Sequence, residues 1–185
     1  LLAETLKKYQ TCATFMFEAA QRSFDKALIY IEDETIDDQL KINFGELYQR
    51  ASTTESYKKA VYIYKNLAKN NNQKALIELE SMIEKDTSSL VLETLAEIYE
   101  YSFNDIKRAS NCHIKISKIL FKVNGSATSL DWLFKNAKVY DDVYYDLYKL
   151  INDLSNQELN YRFGILAESL GKFEVSTKFI LNSAN

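Results

Sequence analysis

Apolar residues recur at intervals of three and four along nearly the whole of this 185-residue chain, and no proline interrupts them. That period is the signature of amphipathic α-helices, because side chains three and four apart share one face of a helix. Leu90, Leu92, Leu95, Ile98 and Tyr99 make one stripe, with Glu93, Glu97 and Glu100 on another face. Tyr140, Val143, Tyr144, Leu147, Leu150 and Ile151 make a second. With four glycines as the only other strong breakers, an all-β fold lacks the turns it would need.

Helix starts are marked as well. Thr35–Asp38, Ser52–Glu55, Thr128–Asp131 and Ser155–Glu158 fit the capping-box pattern, in which a hydroxyl accepts from an orphan N–H and the acid reaches back. Breaks fall at Asn70-Asn71-Asn72, Asp86–Ser89, Asn124-Gly125-Ser126 and Gly171. These marks predict nine or ten helices of about 10 to 18 residues joined by short polar turns. The chain begins at Leu1 rather than Met, which predicts a segment of a longer protein.

Composition removes several classes of function. Two cysteines, Cys12 and Cys112, cannot build a disulfide framework and read as buried thiols. No apolar run approaches the ~18 residues of a membrane span; Ala27–Ile31 is among the longest. A net charge of −3, with Lys7-Lys8, Lys58-Lys59 and Lys107-Arg108 scattered among acids, argues against a nucleic-acid backbone binder. No phosphate-binding, nucleophile-elbow, zinc-protease or dinucleotide motif occurs, and neither a catalytic, a metal nor a cofactor site is expected. Asp141, Asp142 and Asp146 read as a solvated face, since a cation site needs more oxygen ligands. The single histidine, His113, has no ligand-spaced partner and is expected to pack inward four residues after Ala109. Asn124-Gly125-Ser126 also fits a glycosylation acceptor, which a chain of this size can contain by chance.

A longer period lies over the helical one. A large residue followed three positions later by a small or β-branched one appears at Phe24…Ala27, Tyr57…Ala60, Ile106…Ala109, Tyr140…Val143 and Phe173…Ser176. The intervals are 33, 49, 34 and 33 residues, three nearly equal and one longer by about a helix. The helix before the phrase has its own mark: Phe44-Gly45…Tyr48, Leu95-Ala96…Tyr99 and Phe163-Gly164…Ala167. A small residue flanked by large ones is a packing instruction, since it admits a neighbouring helix while the large ones fill the space around it.

These residues resemble the tetratricopeptide (TPR) family. Residues 163–176 follow the TPR pattern closely, while Tyr57–Ala68 with Asn70–Gln73, Ala75 and Leu79 resembles the Sel-like variant. The chain departs from the family in having no proline at the ends of second helices, and near residues 126–138 Asp131 or Asn136 falls where a small residue belongs. The first-helix mark is also poor near residues 5–16. The resemblance implies one domain over residues 1–185, a right-handed α-solenoid of about five stacked antiparallel helix pairs.

The resemblance also implies a non-enzymatic scaffold that holds a segment of a partner protein in a concave groove lined by first helices. Carried over by position, the lining is Glu46, Gln49, Glu93, Glu97, Glu100, Tyr161, Ile165 and Glu168. Such an acid-lined groove favours a basic or neutral protein or peptide, although Glu is also a common exposed helix former and a merely solvated face is the competing reading. A second candidate patch comprises Trp132, Tyr145 and Tyr148, beside Phe134, Tyr140 and Tyr144. Three other functions compete: a Sel-like scaffold in a bacterial envelope or polysaccharide-export complex, a helical-repeat RNA binder, and a docking arm of an enzyme whose site lies outside the segment. Compartment (cytoplasm or bacterial periplasm) and oligomeric state are open at this stage.

Overall fold

The computed structural model describes residues 36–51, 53–84, 89–121 and 128–184. Expectations about Phe24…Ala27, Cys12, the stretch 5–16, Ala27–Ile31, Lys7-Lys8, Thr35, Ser52 and Asn124-Gly125-Ser126 lie outside those residues. The described residues are all-helical, as the periodicity requires, and the chain divides into two compact units, Leu1–Lys85 and Asp86–Asn185.

The first unit contains α1 (Asp38–Arg50), α2 (Thr54–Lys69) and α3 (Gln73–Met82). α1 buries Ile42, Phe44, Gly45 and Tyr48, which include all three marked positions of its packing signature. The reason for Gly45 is geometric: a Cβ there would lie 2.5 Å from Cε1 and 2.6 Å from Cζ of the Tyr64 ring on α2. α2 buries Ala60, Val61, Ile63, Tyr64, Leu67 and Ala68 toward its neighbours. It ends in the expected asparagine turn, where Asn71 takes the left-handed conformation at φ 63° that Asn tolerates. Asn72 then caps α3, its side chain accepting from the Ala75 N–H at 3.1 Å. The longer repeat interval, from Tyr57 to Ile106, is accounted for by α3, an additional ten-residue helix.

The second unit contains α4 (Leu90–Glu97), α5 (Ile106–Phe121), α6 (Thr128–Asn136), α7 (Asp141–Leu154), α8 (Gln157–Ser169) and α9 (Phe173–Ser183). α4 and α6, at 8 and 9 residues, are shorter than the periodicity indicates. α4 runs on into a π turn, Ile98–Ser102, in which the Phe103 N–H donates to the carbonyl of Ile98 rather than to the α-helical partner. Its core joins Leu130 and Leu133 of α6, Val143, Leu147 and Ile151 of α7, Phe163 of α8 and Phe179 of α9. Phe163 and Phe179 lie 4.8 Å apart between ring centroids, in the tilted range favoured by aromatic pairs. α8 and α9 close against each other because Gly164 is bare: a Cβ would lie 2.7 Å from Cγ1 of Ile180 and 3.3 Å from its backbone N. Gly171 makes the turn between them at φ 70°, as its position led us to expect.

Two sequence expectations need correction. The helix caps do not fall where the hydroxyl pattern placed them, and at α1, α2 and α8 they fall one or two residues later. Asp37 caps α1, Thr53 with Ser56 forms the capping box of α2, and Asn156 caps α8. Ser155, the expected cap, instead ends α7 in the left-handed conformation at φ 47°, while Thr128 is already helical. At α1 and α8 the cause is that Asp and Asn side chains cap as well as hydroxyls, and the residue nearer the helix prevails; at α2 one hydroxyl residue gives way to the next. Secondly, Tyr140 does not belong to the buried stripe of α7. It is the residue before the helix and is largely exposed, whereas Val143, Tyr144, Leu147, Leu150 and Ile151 are buried.

Candidate functional site

α8 presents two faces of different chemistry. Leu159, Phe163, Gly164, Leu166 and Ala167 turn inward, and Tyr161, Ile165 and Glu168 turn out. Tyr161 is 53% and Ile165 44% exposed, an unusual pair of large apolar side chains one turn apart on a solvent face. They form one wall of an open cleft of about 530 Å³; the other wall is Phe134 and Lys135 of α6 with Lys138 just past its end. Arg162 bridges the two walls, its guanidinium 2.7 Å from the Asp131 carboxylate and 4.4 Å from the centre of the Phe134 ring. Asp131 therefore neutralises Arg162, while the Lys135 and Lys138 ammonium groups have neither a hydrogen bond nor an ion pair among the described residues. Leu166 and Ser169 also line it, and no acid among the described residues does. An apolar wall with two unpaired ammonium groups at its rim is chemically suited to binding, and among the described residues no nucleophile–base pair opens into it.

The expected groove residues fall in both units. Tyr161 and Ile165 come together in this cleft, and Glu168 lies exposed on the same helix outside the lining. Glu46 and Gln49 belong to α1 of the other unit, where Glu46 makes an i,i+4 pair with Arg50 at 3.7 Å. Glu93 accepts from the Ser89 hydroxyl at the start of α4, and Glu97 is half-buried. Glu100 lies in the π turn and accepts a 2.9 Å hydrogen bond from the Trp132 indole N–H. That bond unites a residue of the expected groove with one of the second candidate patch. Phe134 was read only as part of the second patch, and Lys135, Lys138 and Arg162 escaped sequence reading: α6 lacks the small-residue mark that sets the register elsewhere, and Arg162 lies beside the carried-over positions of α8. The available signal was the offset of 31 residues between Asp131 and Arg162, close to the repeat interval.

The second patch is mostly packing. Trp132 stacks on His113 with ring centroids 4.2 Å apart, and Tyr148 lies against Phe163 and Phe179 at 6.0 and 5.4 Å. Hydrogen bonds with Asn152 and Lys178 hold the Tyr148 phenol below its usual range. Tyr145 alone is well exposed, with the Lys172 ammonium 5.2 Å from its ring centre. His113 packs inward as expected, its Nδ1 3.2 Å from the Ser129 hydroxyl. Burial lowers its pKa from 6.5 to about 4, so the imidazole is neutral at physiological pH. Neither cleft described here reaches this Ser–His pair.

A second opening of about 670 Å³ lies at the starts of α5 and α7, lined by Asp105, Asp141, Asp142, Lys107 and Tyr140 among others. One of its acids already serves the fold: Asp105 accepts from the Arg108 backbone N–H at 3.0 Å and pairs with the Arg108 side chain at 3.3 Å. Among the described residues no group of three or more His, Cys, Asp or Glu could hold a metal ion, and no helix is long and apolar enough to cross a membrane. Comparison with family models, with curated proteins and with solved structures finds no match to this chain.

Proposed function

We propose that this protein is a non-enzymatic interaction scaffold of TPR-like character, whose helix pairs stack as a solenoid and whose first-helix faces hold a segment of a partner protein. The observation that carries the reading is the pair Tyr161 and Ile165, held out on α8 and facing Phe134, Lys135 and Lys138 across an open cleft. An exposed apolar pair of this kind adds nothing to the unit's own core, which Phe163 and Leu166 on the other face of α8 already supply. The buried signatures Phe44-Gly45…Tyr48, Leu95-Ala96…Tyr99 and Phe163-Gly164…Ala167 support the repeat, since each puts its small residue inside a helix contact or core.

Selection of ligands from a displayed library of short random peptides tests the reading. Peptides that bind the wild-type chain should bind the Tyr161→Ser/Ile165→Ser variant at least about tenfold more weakly, with an unchanged helical CD spectrum. Equal binding by the variant would remove the cleft from the function, and a library yielding no ligand would remove the peptide-holding role.

A further inference from the structure

From the chemistry of the cleft we infer its occupant: a linear protein segment in which acidic side chains alternate with aliphatic or aromatic ones. The inference rests on the scaffold reading above and adds the chemistry of the partner.

Three observations support it. Lys135 and Lys138 are exposed, and among the described residues neither ammonium group has an ion pair or hydrogen bond. The third cation of the lining, Arg162, is already neutralised by Asp131, so the uncompensated charge of the cleft comes from the two lysines alone. No acid among the described residues lines the cleft, although the chain as a whole has a net charge of −3. The cleft is thus a local inversion of the protein's charge, and a negative ligand is drawn to it while the rest of the surface repels that ligand. Glu168, exposed on α8 outside the lining, bounds the positive region.

The wall geometry selects an extended chain. Tyr161 and Ile165 are one helical turn apart, about 6 Å along the axis. Alternate side chains of an extended segment are spaced about 6.6 Å apart and lie on the same side. Two apolar residues at i and i+2 of such a segment therefore meet Tyr161 and Ile165 together, while acidic neighbours reach the lysines at the rim. Of the two rings in the lining, Phe134 already has the Arg162 guanidinium 4.4 Å from its centre, so single-stranded RNA would find Tyr161 as the open platform where its successive bases need several.

Binding of fluorescent peptides to the full 185-residue chain distinguishes the possibilities. Three sets share their apolar residues and differ in the alternating partner: acidic, basic or uncharged. The acidic set should bind tightest, and Lys135→Glu/Lys138→Glu should weaken it about tenfold or more. A control reversal of exposed lysines on other helices, Lys115→Glu/Lys149→Glu, should leave it within about twofold. Preference for the basic set, or no effect of Lys135→Glu/Lys138→Glu, would overturn the inference while leaving the scaffold reading standing if Tyr161→Ser/Ile165→Ser still abolishes binding. Failure of all three sets would overturn both. Homopolymer RNA bound more tightly than any peptide at about 0.15 M salt would likewise overturn both.

Discussion

Gly45 and Gly164 perform one task in different surroundings, and the difference is measurable. At Gly45 a methyl group would meet the Tyr64 ring, a buried and rigid body with nowhere to turn. Gly45→Ala should therefore destabilise by about 1–3 kcal/mol in urea unfolding, net of the helix propensity that Ala gains. At Gly164 the nearest atom is Cγ1 of Ile180, on a side chain that is only partly buried and can rotate. Gly164→Ala should cost less, and the order of the two midpoints is the test. His113 gives a pH dependence of definite sign. Its folded pKa of about 4 lies below the ordinary 6.5, so between those values the unfolded chain binds more protons. Stability must then fall as pH drops through that window. With screening at a partly accessible site the loss is about 1–2 kcal/mol, and His113→Gln should flatten the stability difference between about pH 7 and about pH 5. At this scale the sequence was a good guide to glycines, because a small residue between large ones has few explanations. It was a poor guide to caps, where Asp37, Thr53 and Asn156 compete locally with neighbours of the same chemistry.

Among the elements, α6 is the least typical and the most consequential. It is 9 residues long, yet it supplies one wall of the cleft, the indole that stacks on His113, and the N–H that Glu100 accepts in the π turn after α4. Trp132→Phe keeps the aromatic stack and removes the hydrogen bond to a half-buried carboxylate. A loss of about 1–2 kcal/mol is expected, and Glu100→Gln, which leaves the indole an acceptor, should lose less. Asn156 sets where α8 begins, its side chain accepting from the Leu159 N–H at 3.0 Å. Asn156→Ala should lower stability by about 1 kcal/mol in the same denaturation assay. Which elements exist was legible from the period of three and four, and the long repeat interval foretold α3. What the period could not show was the π turn. The apolar spacing of Leu95, Ile98 and Tyr99 carries no mark of the wider turn, within which Glu100 accepts from Trp132 while Glu93 accepts from Ser89. For that reason the acids at 93, 97 and 100 read as one face and are engaged separately.

For the molecule as a whole, the division at Lys85 and Asp86 has a direct consequence. The core of the C-terminal unit is assembled from residues between Leu130 and Phe179, and both walls of the cleft belong to that unit. Residues 86–185 produced alone should therefore fold cooperatively, with a helical CD spectrum and a sigmoidal thermal transition. A featureless melt would show that the N-terminal unit is needed for that core to form. Half of the cleft was foreseeable, because Tyr161 and Ile165 lie beside a clear packing mark on α8. The other half was not, because the placing of α6 across the cleft from α8, bridged by Arg162 and Asp131, is a tertiary fact that no local pattern on α6 announces. The most direct measurement is therefore positional: amide chemical-shift mapping of the full chain as an acidic–apolar peptide is added. The largest shifts should fall on residues 134–138 and 161–169. Shifts centred instead on Tyr140–Tyr145 or on α9, with the α6 and α8 amides unmoved, would contradict the assignment of the cleft as the binding surface.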